Sequence, residues 1–137
     1  RPTKDKTAEF FEVCKALADY VFLDCTSSLD DPLSVYGMAA ADKAVQLVTP
    51  DIRSAAYYAS FEKTYEQIKS KSIGVINITD KDLYLPVGEV KAGFANAKYI
   101  LPYSMYLKQQ YITGELTQKI PDQKFSTVCR GIAGAVL

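Results

Sequence analysis

The chain has 137 residues, of which 48% are hydrophobic and 23% charged. This composition is typical of one folded domain rather than of a disordered chain. The sequence contains no His, which excludes a Ser-His-Asp triad, a Cys-His pair and every His-ligated metal or haem site. No apolar run is long enough to span a membrane. Basic and acidic side chains number 16 each, and this balance disfavours a globally basic nucleic-acid-binding protein.

The charges are unevenly distributed along the chain. Residues 1–62 carry ten acidic and six basic side chains, whereas residues 63–137 carry six acidic and ten basic ones. This asymmetry is compatible with a docking surface and equally with a scatter of solvated charge. The chain begins with Arg1 rather than Met, so we expect a processed form from which a targeting sequence has been removed.

Helical periodicity dominates the pattern. Apolar residues recur at intervals of three and four in the first segment, from Phe10 to Cys25. Asp31-Pro32 and Thr49-Pro50-Asp51 each combine capping side chains with a Pro, which is typical of a helix start. Pro102 is expected to kink the last long helix, and Gly114 to end it. Together these signals predict four long helices, over residues 7–25, 31–48, 51–71 and 86–112.

The remaining segments give weaker signals. Residues 72–85 are rich in β-branched side chains, but no second convincing strand exists to pair with them, so either a long structured loop or a small hairpin is expected. Pro121-Asp122 precedes a short helix or tail. The predicted fold is therefore all-α: a single domain over 1–137, with an antiparallel up-down four-helix bundle in 7–112 and a C-terminal extension in 113–137.

No motif indicates catalysis. The Glu9/Glu12 and Glu62/Glu66 pairs fit one helix face, but a di-metal bundle site also needs His, so exposed carboxylates are the better interpretation. The glycines form neither a dinucleotide-binding nor a Walker A pattern. Cys129-Arg130 lacks the spacing of a phosphatase loop. We therefore expect no enzyme, no catalytic or metal-binding residue and no cofactor, with an enzyme using carboxylate, Lys, Tyr or Cys groups as a minor alternative.

Three cysteines, Cys14, Cys25 and Cys129, are disulfide candidates, and their number allows one intramolecular bridge. If residues 8–25 are helical, Cys14 and Cys25 lie about 16 Å apart along the axis, too far for a bridge. A bridge would then use Cys129 with either of the others. The alternative is three reduced thiols that pack as small hydrophobic side chains.

Tyrosine is abundant, with ten in the chain. Tyr99, Tyr103 and Tyr106 are spaced for one face of the predicted fourth helix, either as packing or as an interface. Lysines accompany them in the second half, and RNA binding is a weaker interpretation of the same mixture. The candidate partner-binding residues are Lys63, Lys69, Lys71, Lys91, Lys98, Lys108, Lys119, Lys124, Tyr99, Tyr103 and Tyr106.

The helix openings at Asp31-Pro32 and Thr49-Pro50, the predicted bundle over 7–112 and the Lys-rich second half resemble the PsbQ-like extrinsic subunits of photosystem II, especially the extra extrinsic subunit of diatoms. The resemblance implies a non-catalytic protein of the chloroplast thylakoid lumen, peripheral to the membrane. It implies docking on the photosystem II core and other extrinsic subunits, where the protein stabilises the oxygen-evolving centre and helps to retain calcium and chloride.

We expect this docking to be electrostatic and therefore sensitive to salt. The near-neutral charge departs from the strongly basic plant relatives. No nucleic acid and no small-molecule substrate are expected. The alternative function is a helical-bundle carrier of an apolar ligand or pigment.

Overall fold

The computed structural model describes residues 4–28, 30–82, 85–94 and 96–137. Its described part combines helices with a three-stranded parallel sheet, so the prediction of an all-α four-helix bundle is wrong. The helices are α1 (Lys4–Leu17), α2 (Pro32–Ala40), α3 (Ile52–Ser60), α4 (Glu62–Glu66), α5 (Val87–Gly93), α6 (Met105–Thr113) and α7 (Gln123–Val136). The strands are β1 (Ala44–Val48), β2 (Ser72–Asn77) and β3 (Ala97–Leu101), and a 3-10 turn spans Lys69–Lys71.

The chain divides into two compact units, one ending at Asp42 and the other beginning at Lys43. In the first unit α1 packs against α2, with Thr7 and Phe11 buried on α1. Gly37 on α2 is buried at this contact, and a Cβ atom placed there would lie at an ordinary van der Waals distance of 3.5 Å from the Phe11 ring. The single-domain interpretation of residues 1–137 stays a prediction.

The second unit is built on the sheet, in which β2 lies between β1 and β3. Both pairings are parallel, with Val48 opposite Ile76. A β-bulge interrupts the second pairing beside Gly74, whose N–H donates to the Asn96 carbonyl oxygen at 2.8 Å. A Cβ atom on Gly74 would lie 2.5 Å from that carbonyl group, so only glycine fits at this position.

The two faces of this sheet are covered by different helices. Val48, Ile76, Val90 and Phe94 form the buried core on one face, joined by Tyr58 from α3. Adjacent strand residues point to opposite faces, so Val75, which is fully buried, belongs to the other face. There α7 packs against β3. The sheet is thus an open α/β layer structure with helices on both sides.

Two of the predicted helices contain strands, which the helical periodicity of the sequence did not indicate. The predicted helix over 31–48 ends at Ala40 and is followed by β1, and the predicted helix over 86–112 is divided by β3. Both strands are only five residues long, and so short an apolar stretch is compatible with either the helical or the strand period. Pro102 therefore follows a strand and does not kink a helix.

The other boundaries also changed. α1 ends at Leu17 rather than near residue 25, and the predicted helix over 51–71 is divided into α3, α4 and the 3-10 turn. The stretch 72–85 begins with the central strand β2, and its residues 83 and 84 lie outside the described part of the chain. The C-terminal helix is a full 14 residues long.

The capping signals were the reliable part of the pattern. Asp31 caps α2, accepting a hydrogen bond from the Ser34 N–H at 3.0 Å. The Thr49-Pro50-Asp51 motif does begin a helix, with Asp51 rather than Thr49 as the cap. Gly114 ends α6 in the left-handed conformation, with φ of 76°, as its position predicted.

Candidate functional site

Helix α6 follows β3 after a three-residue connection. Ser104, at its N-terminus, is buried, and its hydroxyl faces the Asp122 carboxyl. The N–H of Phe125, and to a smaller extent this hydroxyl, hold the pKa of Asp122 below its ordinary value. At the other end the Gly114 N–H donates to the Gln110 carbonyl oxygen. This last bond closes the final turn of α6.

The side of α6 that faces inward is polar. Gln110 is the buried residue of this helix. Its side-chain Nε2 donates to the Gln118 carbonyl oxygen at 2.7 Å, and its main-chain carbonyl oxygen accepts the Glu115 N–H at 3.1 Å. Both bonds fix the turn that follows α6. Gln110 is thus satisfied internally, as a buried amide must be.

The outward sides of α6 carry large apolar residues. Tyr111 is 80% exposed and Ile112 is 73% exposed. Exposed contiguous apolar surface of this kind marks contact sites, and Tyr and Met are enriched in them. We define the α6 surface as the exposed residues Met105, Tyr106, Leu107, Lys108, Tyr111, Ile112 and Leu116.

The three predicted tyrosines do not share a helix face, because they lie in a strand, a connection and a helix. Tyr99 is half-buried on β3, and Tyr103 lies in the connection after it, with Lys81 Nζ 5.9 Å from its ring centroid. Tyr106 alone is helical, on the α6 surface. The correction follows from the fold, since β3 occupies the centre of the predicted fourth helix.

The predicted lysines are distributed over many elements. Lys108 belongs to the α6 surface, and Lys98 on β3 lies over the ring of Tyr99 at 5.6 Å. Lys69 Nζ contacts Glu66 Oε1 at 2.9 Å, and this carboxylate raises the pKa of Lys69. The remaining lysines lie as follows: Lys63 on α4, Lys71 in the 3-10 turn, Lys91 on α5, Lys119 after α6 and Lys124 in α7.

A shallow cleft lies beside α4. Tyr58 and Tyr65 stack with ring centroids 5.3 Å apart, and Tyr58 meets Phe94 edge-on at 4.6 Å. Burial raises the pKa of both tyrosines, so both stay neutral at physiological pH. The cleft is lined by Tyr58, Glu62, Tyr65, Glu66, Lys69 and Asn96. The Lys69–Glu66 pair and the ring stack occupy its polar and aromatic groups, so we interpret it as packing.

The carboxyl ends of the three strands meet at one edge of the sheet, which the periodicity did not predict. After β1, Asp51 accepts the Ser54 N–H at 2.8 Å and the hydroxyl of Thr49, and these bonds lower the pKa of Asp51. The connections after β2 and β3 are joined by Lys81 and Tyr103. Ligands of open parallel sheets bind outside this edge.

The three cysteines are free thiols. Burial raises the pKa of Cys25 and of Cys129, which disfavours their reactive thiolate forms. Because α1 ends at Leu17, Cys14 and Cys25 do not share a helix, and the helical argument against their pairing was wrong. A bridge between Cys129 and either of the others stays a prediction.

The described residues also bear on metal binding and membrane insertion. Among them, no group of three or more His, Cys, Asp or Glu side chains is placed to hold a metal ion. No described helix has the length and apolar character needed to cross a membrane. Comparisons with protein-family models, curated proteins and solved structures gave no match to this chain.

Proposed function

We propose that this chain is a non-catalytic docking module and that α6 is its contact element. The observation that carries the proposal is the reversed polarity of α6, whose buried residue is the amide Gln110 while Tyr111 and Ile112 face solvent. A helix that packs only on its own chain shows the opposite pattern. An isolated helix of nine residues is also marginal in water, so a partner that covers α6 would stabilise it.

The spacing of the exposed residues fits insertion into an apolar groove. Met105 and Ile112 lie seven positions, or about two turns, apart on one side of the helix, and Tyr111 lies beside Ile112. A helix in a groove uses anchors with this periodicity. Lys108 and Lys119 place positive charge next to the apolar residues. The partner therefore presents an apolar groove with an acidic rim.

The test compares tagged forms of the full chain in an extract of the cells that make it. The double variant Tyr111→Ser/Ile112→Ser removes both anchors, while Glu89→Ser changes an exposed residue of α5 and serves as the matched control. We expect one co-purifying protein to be retained by the wild type and the control and lost at least tenfold with the double variant. Equal retention by all three forms would overturn the proposal.

The role on photosystem II is a more specific form of this proposal. The bundle over 7–112 on which it partly rested is not formed in the described part of the chain, whereas Tyr106 and Lys108 are exposed. Binding to photosystem II cores stripped of their extrinsic proteins, at low and high salt, tests it separately. The carrier alternative required a bundle interior, so only a ligand held elsewhere would be compatible with it.

A second candidate function is the binding of a small polar molecule at the carboxyl edge of the sheet. The contact of Lys81 with Tyr103 supports it, since a cation and an aromatic ring from neighbouring connections lie together there. Native mass spectrometry of gently purified protein would show an added mass that Lys81→Met with Tyr103→Ala removes. An unmodified mass in the wild type would dismiss this candidate.

A further inference from the structure

The first unit contains an apolar segment that belongs to no helix or strand. It comprises Tyr20, Val21, Phe22 and Leu23, all of which are exposed, Phe22 at 79%. Leu23 lies over Gly37, because a Cβ atom placed on Gly37 would be 3.0 Å from its Cδ1. Consecutive β-forming apolar residues are the composition of a strand that is buried on both faces of a parallel sheet. The segment thus has the composition of a buried β-strand, although it is not part of the sheet.

The second unit contains the matching feature, an edge of the sheet with exposed apolar side chains. β1 pairs with β2 alone and forms an edge of the described sheet. Val45 and Leu47 on β1 are exposed, Leu47 at 63%, although parallel sheets are normally covered on both faces. An edge with exposed apolar side chains is a template for the addition of another strand.

The charges around these two features are complementary. Asp19 and Asp24 flank the apolar segment, and Lys43 precedes β1. Parallel pairing of Tyr20 with Ala44 would place Asp19 opposite Lys43. The same complementarity extends to the whole units, because residues 1–42 have a net charge of −4 and residues 43–137 a net charge of +4.

We propose that residues 19–24 of one copy add as a parallel strand to the β1 edge of a second copy. Main-chain hydrogen bonds along β1 supply the affinity, and the apolar side chains cover the sheet faces beside Val45 and Leu47. Each copy carries both the strand and the edge. Reciprocal exchange therefore closes a two-fold dimer, while an exchange that does not close builds a chain of copies.

The test disables the added strand and the β1 edge in two separate variants of the full chain. Phe22→Pro disables the added strand at a position outside regular structure, and Val45→Lys/Leu47→Lys places charges on the edge at two exposed positions. Sedimentation velocity should show concentration-dependent association of the wild type and a monomer for each variant alone. An equimolar mixture of the variants should recover a 1:1 heterodimer, since one intact strand meets one intact edge.

Three results would overturn this inference: a wild type that is monomeric at every concentration, variants that still associate alone, or a mixture that stays monomeric. Circular dichroism shows whether each variant is folded. If a variant is unfolded, binding of a labelled peptide of residues 19–25 to the wild-type chain is measured instead, and an absence of binding counts against the proposal. Tyr111→Ser/Ile112→Ser should leave self-association unchanged. Loss of self-association in that variant would instead place the second copy on α6.

Discussion

Tyr99 and Gly131 connect the sheet to the C-terminal helix. The Tyr99 hydroxyl donates to the Gly131 carbonyl oxygen at 2.9 Å, across 32 positions of sequence. The same ring lies close to the helix, since a Cβ atom on Gly131 would be 3.1 Å from its Cε1. The absence of a side chain at Gly131 therefore lets α7 approach β3 and cover this face of the sheet.

Replacing Tyr99 by Phe should remove this hydrogen bond and leave the packing in place. We expect a loss of about 1 kcal/mol in the free energy of unfolding, the usual net contribution of one hydrogen bond. Urea unfolding measures it, with Tyr111→Phe as the control because Tyr111 is exposed. Equal stability of both variants and the wild type would show that the hydroxyl contributes nothing to the docking of α7.

Gly74→Ala should be strongly destabilising, because the new methyl group would lie 2.5 Å from the Asn96 backbone. Backbone atoms cannot move away as a flexible side chain would, so the β-bulge between β2 and β3 must open. Gly134→Ala on α7 is the matched control, since nothing lies within 4 Å of its Cβ position. There alanine should stabilise by up to about 1 kcal/mol through helix propensity. Thermal unfolding midpoints that move in opposite directions would agree with this account, and equal midpoints would not.

The cap at Asp51 makes stability depend on acidic pH. Two hydrogen bonds, one from the Thr49 hydroxyl and a weaker one from the Ser54 N–H, hold the folded-state pKa of Asp51 below its ordinary value of 3.8. The cap therefore contributes its full stabilisation above the pKa that Asp51 has in the unfolded chain. This stabilisation is lost as the pH falls through the folded-state pKa of Asp51. Asp51→Asn keeps a capping oxygen that does not titrate.

We accordingly expect Asp51→Asn to be slightly less stable than the wild type at neutral pH and to lose less stability between about pH 4 and pH 2. Urea unfolding across this range measures the difference. Asp82→Asn removes an equal charge from an exposed loop and should keep the wild-type profile. Parallel pH profiles for Asp51→Asn and the wild type would show that the titration of Asp51 does not change the stability.

Gln110→Ala should release the turn after α6, because the bond from Nε2 to the Gln118 carbonyl oxygen at 2.7 Å is lost. The amide hydrogens of α6 and of the turn should then exchange faster with deuterium, while those of β2 stay protected. Gln109→Ala changes an exposed neighbour and should leave the exchange rates unchanged. Identical exchange in both variants would mean that Gln110 does not hold this segment.

The parts of the fold that sequence predicted are those that depend on local contacts. Asp31-Pro32 and Gly114 set a helix start and a helix end within a few residues, so their effect is visible in the sequence. β1 and β3 depend on pairing with β2, which is remote in sequence. Their apolar residues fit the helical period by chance, and the sheet became the stable alternative only when all three strands paired.

The candidate site was predicted only in part, for the same reason. Tyr106 was proposed from its spacing to Tyr99 and Tyr103, and Lys108 from the lysine-rich second half, and both stay predictions. Ile112 was not proposed, because within a predicted bundle apolar residues are assigned to the core. The sequence carries no clear signal for it, because Gln109 and Gln110 are adjacent and identical, and only the second is buried. Which side of α6 faces the protein depends on the turn to Gln118, and sequence periodicity does not show that contact.

The central claim is that α6 is the surface on which a partner docks. Site-specific photo-crosslinking tests it most directly, with the photoreactive residue at position 111 in one form of the protein and at position 89 on α5 in the other. In an extract of the cells that make the protein, we predict one discrete adduct from position 111 and none from position 89. Identical adducts from both positions, or none from position 111, would contradict the account.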